Sequence, residues 1–155
     1  MKTKVALITG GYTGEAEVSF KSSAFVHSQI DKTKYDVYLI TIVPQGWYYT
    51  DAAGVNHAID KEDFSLVVGE ERVIFDVVFI LIHGTPGEDG RLQGYFDMIG
   101  LPYTSCSALT SALTMNKQYT KAILADIPHV HVAKSVLLFD SNRGEAVRLV
   151  EEKLR

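Results

Sequence analysis

A glycine-rich stretch at residues 81–94 constrains the fold and the function of this chain more than any other feature. It follows an apolar, β-branched run at residues 73–82 that is too short to span a membrane, which predicts a buried parallel strand. Three glycines within seven residues then let the backbone turn sharply. A helix is predicted next, because Leu92, Phe96 and Ile99 recur at spacings of four and three.

The loop between this strand and this helix has the residues of a ligand site. His83 stands at the carboxyl end of the predicted strand, and Glu88 and Asp89 follow it. In an open α/β sheet, small ligands bind outside the carboxyl ends of the strands. A lone Gly-x-x-Gly pair would indicate only a tight turn, but this loop is longer and carries an imidazole and two carboxylates. We therefore interpret it as a binding site.

Composition excludes several classes of partner. The 155 residues suffice for one domain, or for one domain and part of another, and 46% hydrophobic with 22% charged residues is typical of a soluble globular protein. We expect no membrane partner, since no apolar run approaches the ~20 residues of a membrane helix. A net charge of −4 without a basic stripe argues against nucleic acid. Cys106 is the single cysteine, so we expect no disulfide and a reduced, cytoplasmic setting.

A first strand at residues 4–9 precedes another glycine loop and a helix that opens at Glu15 and runs to about residue 30. Its glycines are spaced G-G-x-x-G, and the next strand, at residues 35–43, ends without a ribose-binding acid, which argues against a dinucleotide site. Glu15 and Glu17 both lie in the first helical turn. Favourable interaction with the helix dipole accounts for one of them, and the other remains a site candidate.

The rest of the chain predicts shorter elements. The histidines at 129 and 131 lack a third ligand nearby in sequence, so we predict no metal site. The remaining elements are an aromatic edge strand or hairpin arm at 46–49, a brief strand at 101–104, a helix through Leu124 capped by Thr114 or Asn116, a strand at 134–139 and a charged helix at 141–154.

Four motifs occur in order along the chain. They are Gly10-Gly11-x-x-x-Glu15-x-Glu17-Val18-Ser19, His83-Gly84-x-x-Gly87-Glu88-Asp89-Gly90-x-x-Gln93-Gly94, Leu101-Pro102-Tyr103-Thr104 and Ser111-Ala112-x-x-Met115-Asn116-Lys117-x-x-x-Lys121. Together they resemble the amino-terminal part of the D-alanine–D-alanine ligases, ATP-grasp enzymes of peptidoglycan synthesis. The second motif is the most specific of the four.

The resemblance implies a fold and a domain division. Residues 1–113 would form a substrate-binding α/β domain with an open, mainly parallel, flavodoxin-like three-layer sheet that precedes the ATP-grasp fold. Residues 114–155 would begin the ATP-grasp domain with its first β-α unit. A strand order of 2-1-3-4 would make the first and third strands neighbours, so that the loops after them face one crevice.

The resemblance also implies roles for four residues. Glu15 would hold the ammonium of the first D-alanine and act in catalysis, and Val18 and His83 would complete that substrate's pocket. Lys117 would reach the phosphates of ATP. These roles agree with the chemistry of the residues, because an amino-acid ammonium is bound best by a carboxylate in a partly dehydrated site.

In this family, ATP and Mg²⁺ phosphorylate the carboxylate of the first D-alanine, and the amine of the second D-alanine attacks the acyl phosphate. The metal ligands and the second phosphate-binding lysine belong to a larger carboxyl-terminal half. We therefore expect an inactive fragment that self-associates, as a homodimer or otherwise, through uncovered apolar surface. Two alternatives stay open: a stand-alone, non-catalytic amino-acid binding module, and an interaction domain.

Overall fold

A computed structural model describes the backbone of residues 2–154 and the side chains of residues 2–153. Two compact units meet in sequence between Ala112 and Leu113. The strands are β1 Thr3–Gly10, β2 Tyr35–Val43, β3 Gly46–Thr50, β4 Asn56–Ala58, β5 Leu66–Val68, β6 Glu71–Val73, β7 Val77–Ile80 and β8 Tyr103–Thr104. The helices are α1 Ala16–Gln29, α2 Arg91–Ile99, α3 Ala108–Met115, α4 Lys117–Leu124, a 3₁₀ helix Asp140–Glu145 and α5 Ala146–Leu154.

The first unit is built on a six-stranded sheet of order β4-β3-β2-β1-β7-β8. The four strands β2, β1, β7 and β8 are parallel, while β3 and β4 extend the sheet as an antiparallel edge. Residues 5–10 of the central strand β1 are all buried, as expected for a parallel strand covered on both faces. The predicted α/β class with an open, mainly parallel sheet is confirmed. So is the 2-1-3-4 order of its parallel strands.

An aromatic and aliphatic core fixes α2 to this sheet. The predicted apolar stripe of α2 is confirmed, because Leu92 and Phe96 are buried and Ile99 packs against the same core. The rings of Phe64 and Phe96 meet edge to face with centroids 5.0 Å apart, a favoured aromatic geometry. Trp47 of β3 packs against this core. Because β3 pairs antiparallel with β2, the aromatic segment forms a hairpin arm, one of the two predicted alternatives.

Helix α1 has an unusual inward face. Its buried residues are two serines, Ser19 and Ser23. Two apolar side chains of the same helix, Val18 and Phe25, are instead 51% and 68% exposed. The two fully buried side chains of α1 are therefore polar, and both make hydrogen bonds.

The single strand predicted over residues 73–82 is wrong in extent. Val73 ends β6, which pairs with β5 in a separate antiparallel ribbon, and only Val77–Ile80 joins the main sheet. Between them Asp76 exchanges two hydrogen bonds with Lys4, from Asp76 N to Lys4 O at 2.9 Å and from Lys4 N to Asp76 Oδ2 at 2.7 Å. The apolar run thus contributes to two sheets, because hydrophobicity alone does not specify a pairing partner.

In the second unit, α4 begins where its cap was predicted. Asn116 Oδ1 accepts hydrogen bonds from the backbone N–H groups of Gln118 at 3.0 Å and Tyr119 at 3.3 Å, which satisfies free donors of the first turn. Asn116, rather than Thr114, is therefore the N-cap of this helix.

The strand predicted at residues 134–139 is wrong, because these residues belong to no strand. The assignment of residues 114–155 to the start of the ATP-grasp domain stays a prediction. The described residues of the second unit contain helices and no strand, and an extended segment without a partner has no ladder to join. The helix predicted at residues 141–154 is confirmed in part: its first turns are 3₁₀, and α5 starts at Ala146. Val147 of α5 is 74% exposed, and the expected self-association stays a prediction.

None of the helices described between residues 2 and 154 is both long enough and apolar enough to cross a bilayer.

Gly10, at the end of β1, and Gly14, in the loop that follows, give a matched test of how the chain packs between β1 and α1. Gly10 has φ +100°, and a side-chain carbon there would lie 2.5 Å from the carbonyl oxygen of Ile42, whereas nothing lies within 4 Å of such a carbon at Gly14. We expect Gly10→Ala to lower the free energy of unfolding by about 2–3 kcal/mol through strain and steric clash. Gly14→Ala should change it by less than about 0.5 kcal/mol. Urea unfolding followed by the fluorescence of Trp47, the single tryptophan, measures both; equal effects would contradict this account of the loop.

Candidate functional site

The loops after β1 and β7 meet at the carboxyl ends of these adjacent parallel strands. The backbone N–H of Tyr12 donates to the carbonyl of Thr85 at 2.8 Å. Gly11 has φ +125°, and a side-chain carbon at this position would lie 3.3 Å from the carbonyl oxygen of His83. The loop after β1 therefore runs directly against the loop after β7, at the position where open α/β sheets bind ligands.

Glu15 is placed at this junction by the start of α1. It is the N-cap residue, and its carbonyl accepts from the backbone N–H groups of Val18 at 3.0 Å and Ser19 at 3.1 Å. Its exposed carboxylate lies against Gly84: a side-chain carbon at Gly84 would be 2.7 Å from Glu15 Oε2. The φ of +67° at Gly84 favours glycine, and the absent side chain leaves room for the carboxylate. The structure thus brings Glu15 beside the residue that follows His83.

His83 is half-buried and lines an open cleft of about 220 Å³ at the end of β7. Glu15 is not among the residues that line this cleft. Val18 lies one helical turn after Glu15, with half of its side chain in solvent. The other residues of the cleft wall are Ile80, Leu81, Ile82, Gly87, Glu88, Thr104 and Ser105.

Glu88 and Asp89, the two carboxylates of the loop after β7, accept hydrogen bonds from groups of the same loop. Glu88 Oε2 accepts from the backbone N–H of Gly84 at 2.7 Å. Asp89 Oδ2 accepts from the Thr85 hydroxyl at 2.8 Å. Both acids thus have partners in their own loop, and the interpretation of this loop as a binding site stays a prediction. Their contribution to the site is to hold Gly84 in place opposite Glu15.

Sequence reasoning missed the part played by Gln93. Its side chain is fully buried, and its Nε2 donates to the carbonyl of Gly87 at 2.6 Å and to Ser105 Oγ at 3.3 Å. Both acceptors belong to the cleft wall. Gln93 Oε1 has no hydrogen-bond partner within the described residues, an arrangement that costs stability. A glutamine between the apolar positions Leu92 and Phe96 was the available signal.

Sequence reasoning also missed Ser19 and Tyr12. Ser19 is buried, and its hydroxyl donates to the carbonyl of Leu81, in the cleft wall, at 2.7 Å. Tyr12 Oη accepts from Trp47 Nε1 at 3.0 Å. Strand β3 is therefore also hydrogen-bonded to the loop after β1. Serines four residues apart in α1 were a detectable signal for Ser19, whereas nothing in the sequence predicted the pairing of Tyr12 with Trp47.

Lys117, the predicted phosphate ligand, lies in the second unit as the first residue of α4. It is exposed and lines a cleft of about 370 Å³ together with Asn116, Lys121 and Ser135. Lys121 Nζ donates to the carbonyl of Ala133. Residues 2–153 contain no group of three histidine, cysteine, aspartate or glutamate side chains placed to hold a metal ion.

Comparison with known proteins agrees with the resemblance in the motifs. A sequence model of the family described as D-ala D-ala ligase N-terminus matches residues 4–106. The chain is 43% identical over 151 residues to the D-alanine–D-alanine ligase of Bacteroides fragilis, covering 95% of this chain and 44% of the ligase. It is 45% identical over 147 residues to the ligase of Parabacteroides distasonis, covering 95% of this chain and 43% of that protein.

Solved structures give the same result. The D-alanine–D-alanine ligase of Coxiella burnetii superposes with a TM-score of 0.80 at 28% identity, over 97% of this chain and 49% of that one. The VanG D-Ala:D-Ser ligase of Enterococcus faecalis superposes with a TM-score of 0.78 at 28% identity, over 99% of this chain and 50% of that one. The chain thus spans less than half the length of the curated relatives it matches, and a stand-alone binding module or interaction domain is not favoured. These matches show that the chain belongs to the D-alanine–D-alanine ligase family and corresponds to its amino-terminal part.

Proposed function

We propose that these residues bind the first substrate of a D-alanine–D-alanine ligase, with Glu15 holding the ammonium of D-alanine. The observation that carries this proposal is the approach of the Glu15 carboxylate to Gly84, beside His83, at the carboxyl ends of adjacent parallel strands. Charge-assisted hydrogen bonds to an ammonium are strong where the site is partly dehydrated. The carboxylate makes no ion pair with a side chain of residues 2–153, which keeps it available to a ligand.

Val18 and His83 complete the proposed pocket. The exposed part of Val18, one turn after Glu15, offers apolar contact to the methyl group of D-alanine. The imidazole of His83 offers an N–H donor to the substrate carboxylate. Glu15, Val18 and His83 would contact three different substituents of the substrate α-carbon. Three such contacts would distinguish D-alanine from L-alanine.

We propose that Lys117 takes part in binding the phosphates of ATP. An exposed ammonium in a cleft at the start of a helix, where the helix dipole favours negative charge, fits an anionic group. When bound, ATP supplies the phosphoryl group that activates the carboxylate of the first D-alanine for attack by the amine of the second. The described residues do not fit Mg²⁺, and we assign it no ligand among them.

The complete reaction, with its role in peptidoglycan synthesis in the cytoplasm, is proposed for these residues together with the portion of the ligases that the chain does not cover. The relatives are more than twice as long as the matched segment. Within that whole, the contribution of residues 2–112 is to bind and orient the first amino acid. That of Lys117 is to bring positive charge to the phosphates.

Glu15→Gln tests the substrate assignment. Removing the charge while keeping the shape should weaken D-alanine binding about 10- to 100-fold, the value of a hydrogen bond to a charged group of about 1.5–3 kcal/mol. The matched control is Glu17→Gln, which removes an exposed acid from the same helical turn and should leave binding within about twofold. Calorimetric or NMR titration with D-alanine, and with L-alanine for comparison, measures both variants. Equal affinities for wild type and Glu15→Gln would refute the assignment.

A chimera tests the reaction as a whole. We join this chain to the carboxyl-terminal portion of the Bacteroides fragilis ligase and follow D-alanine-dependent release of ADP. Lys117→Ala should lower kcat/KM about 100-fold, in the range found on removing a group that stabilises transferring charge. Lys32→Ala, which removes an exposed lysine in the turn before β2, should leave it unchanged. A Lys117→Ala chimera with undiminished activity would remove Lys117 from the phosphate site.

A further inference from the structure

The hydroxyl of Ser19 is the centre of a buried hydrogen-bond chain under the proposed site. Ser19 is fully buried, and its Oγ lies 3.1 Å from Thr9 Oγ1, 3.0 Å from the backbone nitrogen of Gly10 and 2.7 Å from the carbonyl oxygen of Leu81. Thr9 Oγ1 in turn lies 2.8 Å from Ser23 Oγ. Five polar groups, from β1, α1 and the residue that follows β7, are thus satisfied together.

The single proton of each hydroxyl fixes the direction of this chain. A carbonyl can only accept, so Ser19 donates to Leu81 and has no proton left for Thr9. Thr9 therefore donates to Ser19, and the one proton of Ser23 is shared between two acceptors, Thr9 Oγ1 at 2.8 Å and the carbonyl of Phe20 at 3.0 Å. Ser19 ends this series of hydroxyl donors, and its bond to Leu81 is the one that leaves β1 and α1 and reaches the end of β7.

Ser19 is bonded to one group near each of the proposed substrate-binding residues Glu15 and His83. On the helix side, the backbone N–H of Ser19 donates to the carbonyl of Glu15 at 3.1 Å. On the strand side, Leu81 comes two residues before His83 and lines the same cleft. Ser19 therefore connects the turn that carries Glu15 to the strand end that carries His83.

We propose that Ser19 is a positioning residue for D-alanine binding, which holds the first turn of α1 on the end of β7 so that the Glu15 carboxylate lies against Gly84. The inference rests on the proposed role of Glu15 as the ammonium ligand. It accounts for the serine on the inward face of α1: an apolar side chain would pack there but would leave the Leu81 carbonyl and the Gly10 N–H without this partner.

Ser23 provides the matched control. It is equally buried, lies one turn later on the same helix and bonds the same Thr9 hydroxyl. The other acceptor within reach of its proton, the carbonyl of Phe20 at 3.0 Å, belongs to its own helix. Ser23→Ala thus removes a buried hydroxyl of α1 without touching the link to β7.

D-alanine titration separates the two serines. Ser19→Ala should weaken binding about 5- to 20-fold, and Ser23→Ala less than about twofold, with urea unfolding confirming that both variants are folded. In the Glu15→Gln background Ser19→Ala should have no further effect on affinity, because it acts through Glu15. Equal losses for the two serine variants, or an undiminished Ser19→Ala effect without Glu15, would overturn the inference.

A second readout does not need the ligand. At a fixed pH, Glu15→Gln should displace the amide resonance of Gly84, because the Glu15 carboxylate lies against this residue. The displacement should be absent when Glu15→Gln is made in Ser19→Ala and retained when it is made in Ser23→Ala. Its persistence in Ser19→Ala would overturn the inference even if D-alanine failed to bind. Failure of wild-type binding with these NMR results as expected would instead refute the proposed function, and only the placement of the Glu15 carboxylate against Gly84 by Ser19 would stand.

Discussion

The packing of the β1–α1 loop against the β7–α2 loop is the interaction on which the rest of this site depends. The two strands are hydrogen-bonded neighbours in a parallel sheet, so their carboxyl ends coincide, but two loops at one edge need not touch. Here they do, through the hydrogen bond from the backbone N–H of Tyr12 to the carbonyl of Thr85. Gly11 permits the contact, because it has no side chain to separate the two loops. The contact turns two separate glycine-rich segments into one surface.

The polar groups around this contact mainly hold the backbone in place. Glu88 and Asp89 bind within their own loop, Gln93 ties that loop to the segment after β8, and Ser19 ties α1 to β7. Glu15 differs from them, because its carboxylate lies exposed at the junction. In the proposed site, the residues that fix the geometry are distinct from Glu15, the residue proposed to bind the substrate. Pre-arranged geometry reduces the cost of binding.

Much of the fold could be predicted from sequence because its signals are local. Buried β-branched runs predicted β1 and β2, apolar spacing predicted α2, and the Asn116 cap marked the start of α4. Pairing was not predictable from such signals: the run at residues 73–82 is divided between two sheets, and the segment at residues 134–139 forms no strand. In the site, the motifs identified the two loops and the candidates Glu15 and His83. They could not show that Glu88 is used by its own loop, or that Ser19 bridges two elements, since both facts depend on contacts distant in sequence.

A crystal structure of this chain saturated with D-alanine tests the central claim most directly. The account predicts the ammonium nitrogen at about 2.7–3.2 Å from a Glu15 carboxylate oxygen, with the substrate between the first turn of α1 and the loop that holds His83 and Gly84. D-alanine bound elsewhere, or bound at this junction with its ammonium directed away from Glu15, would contradict it.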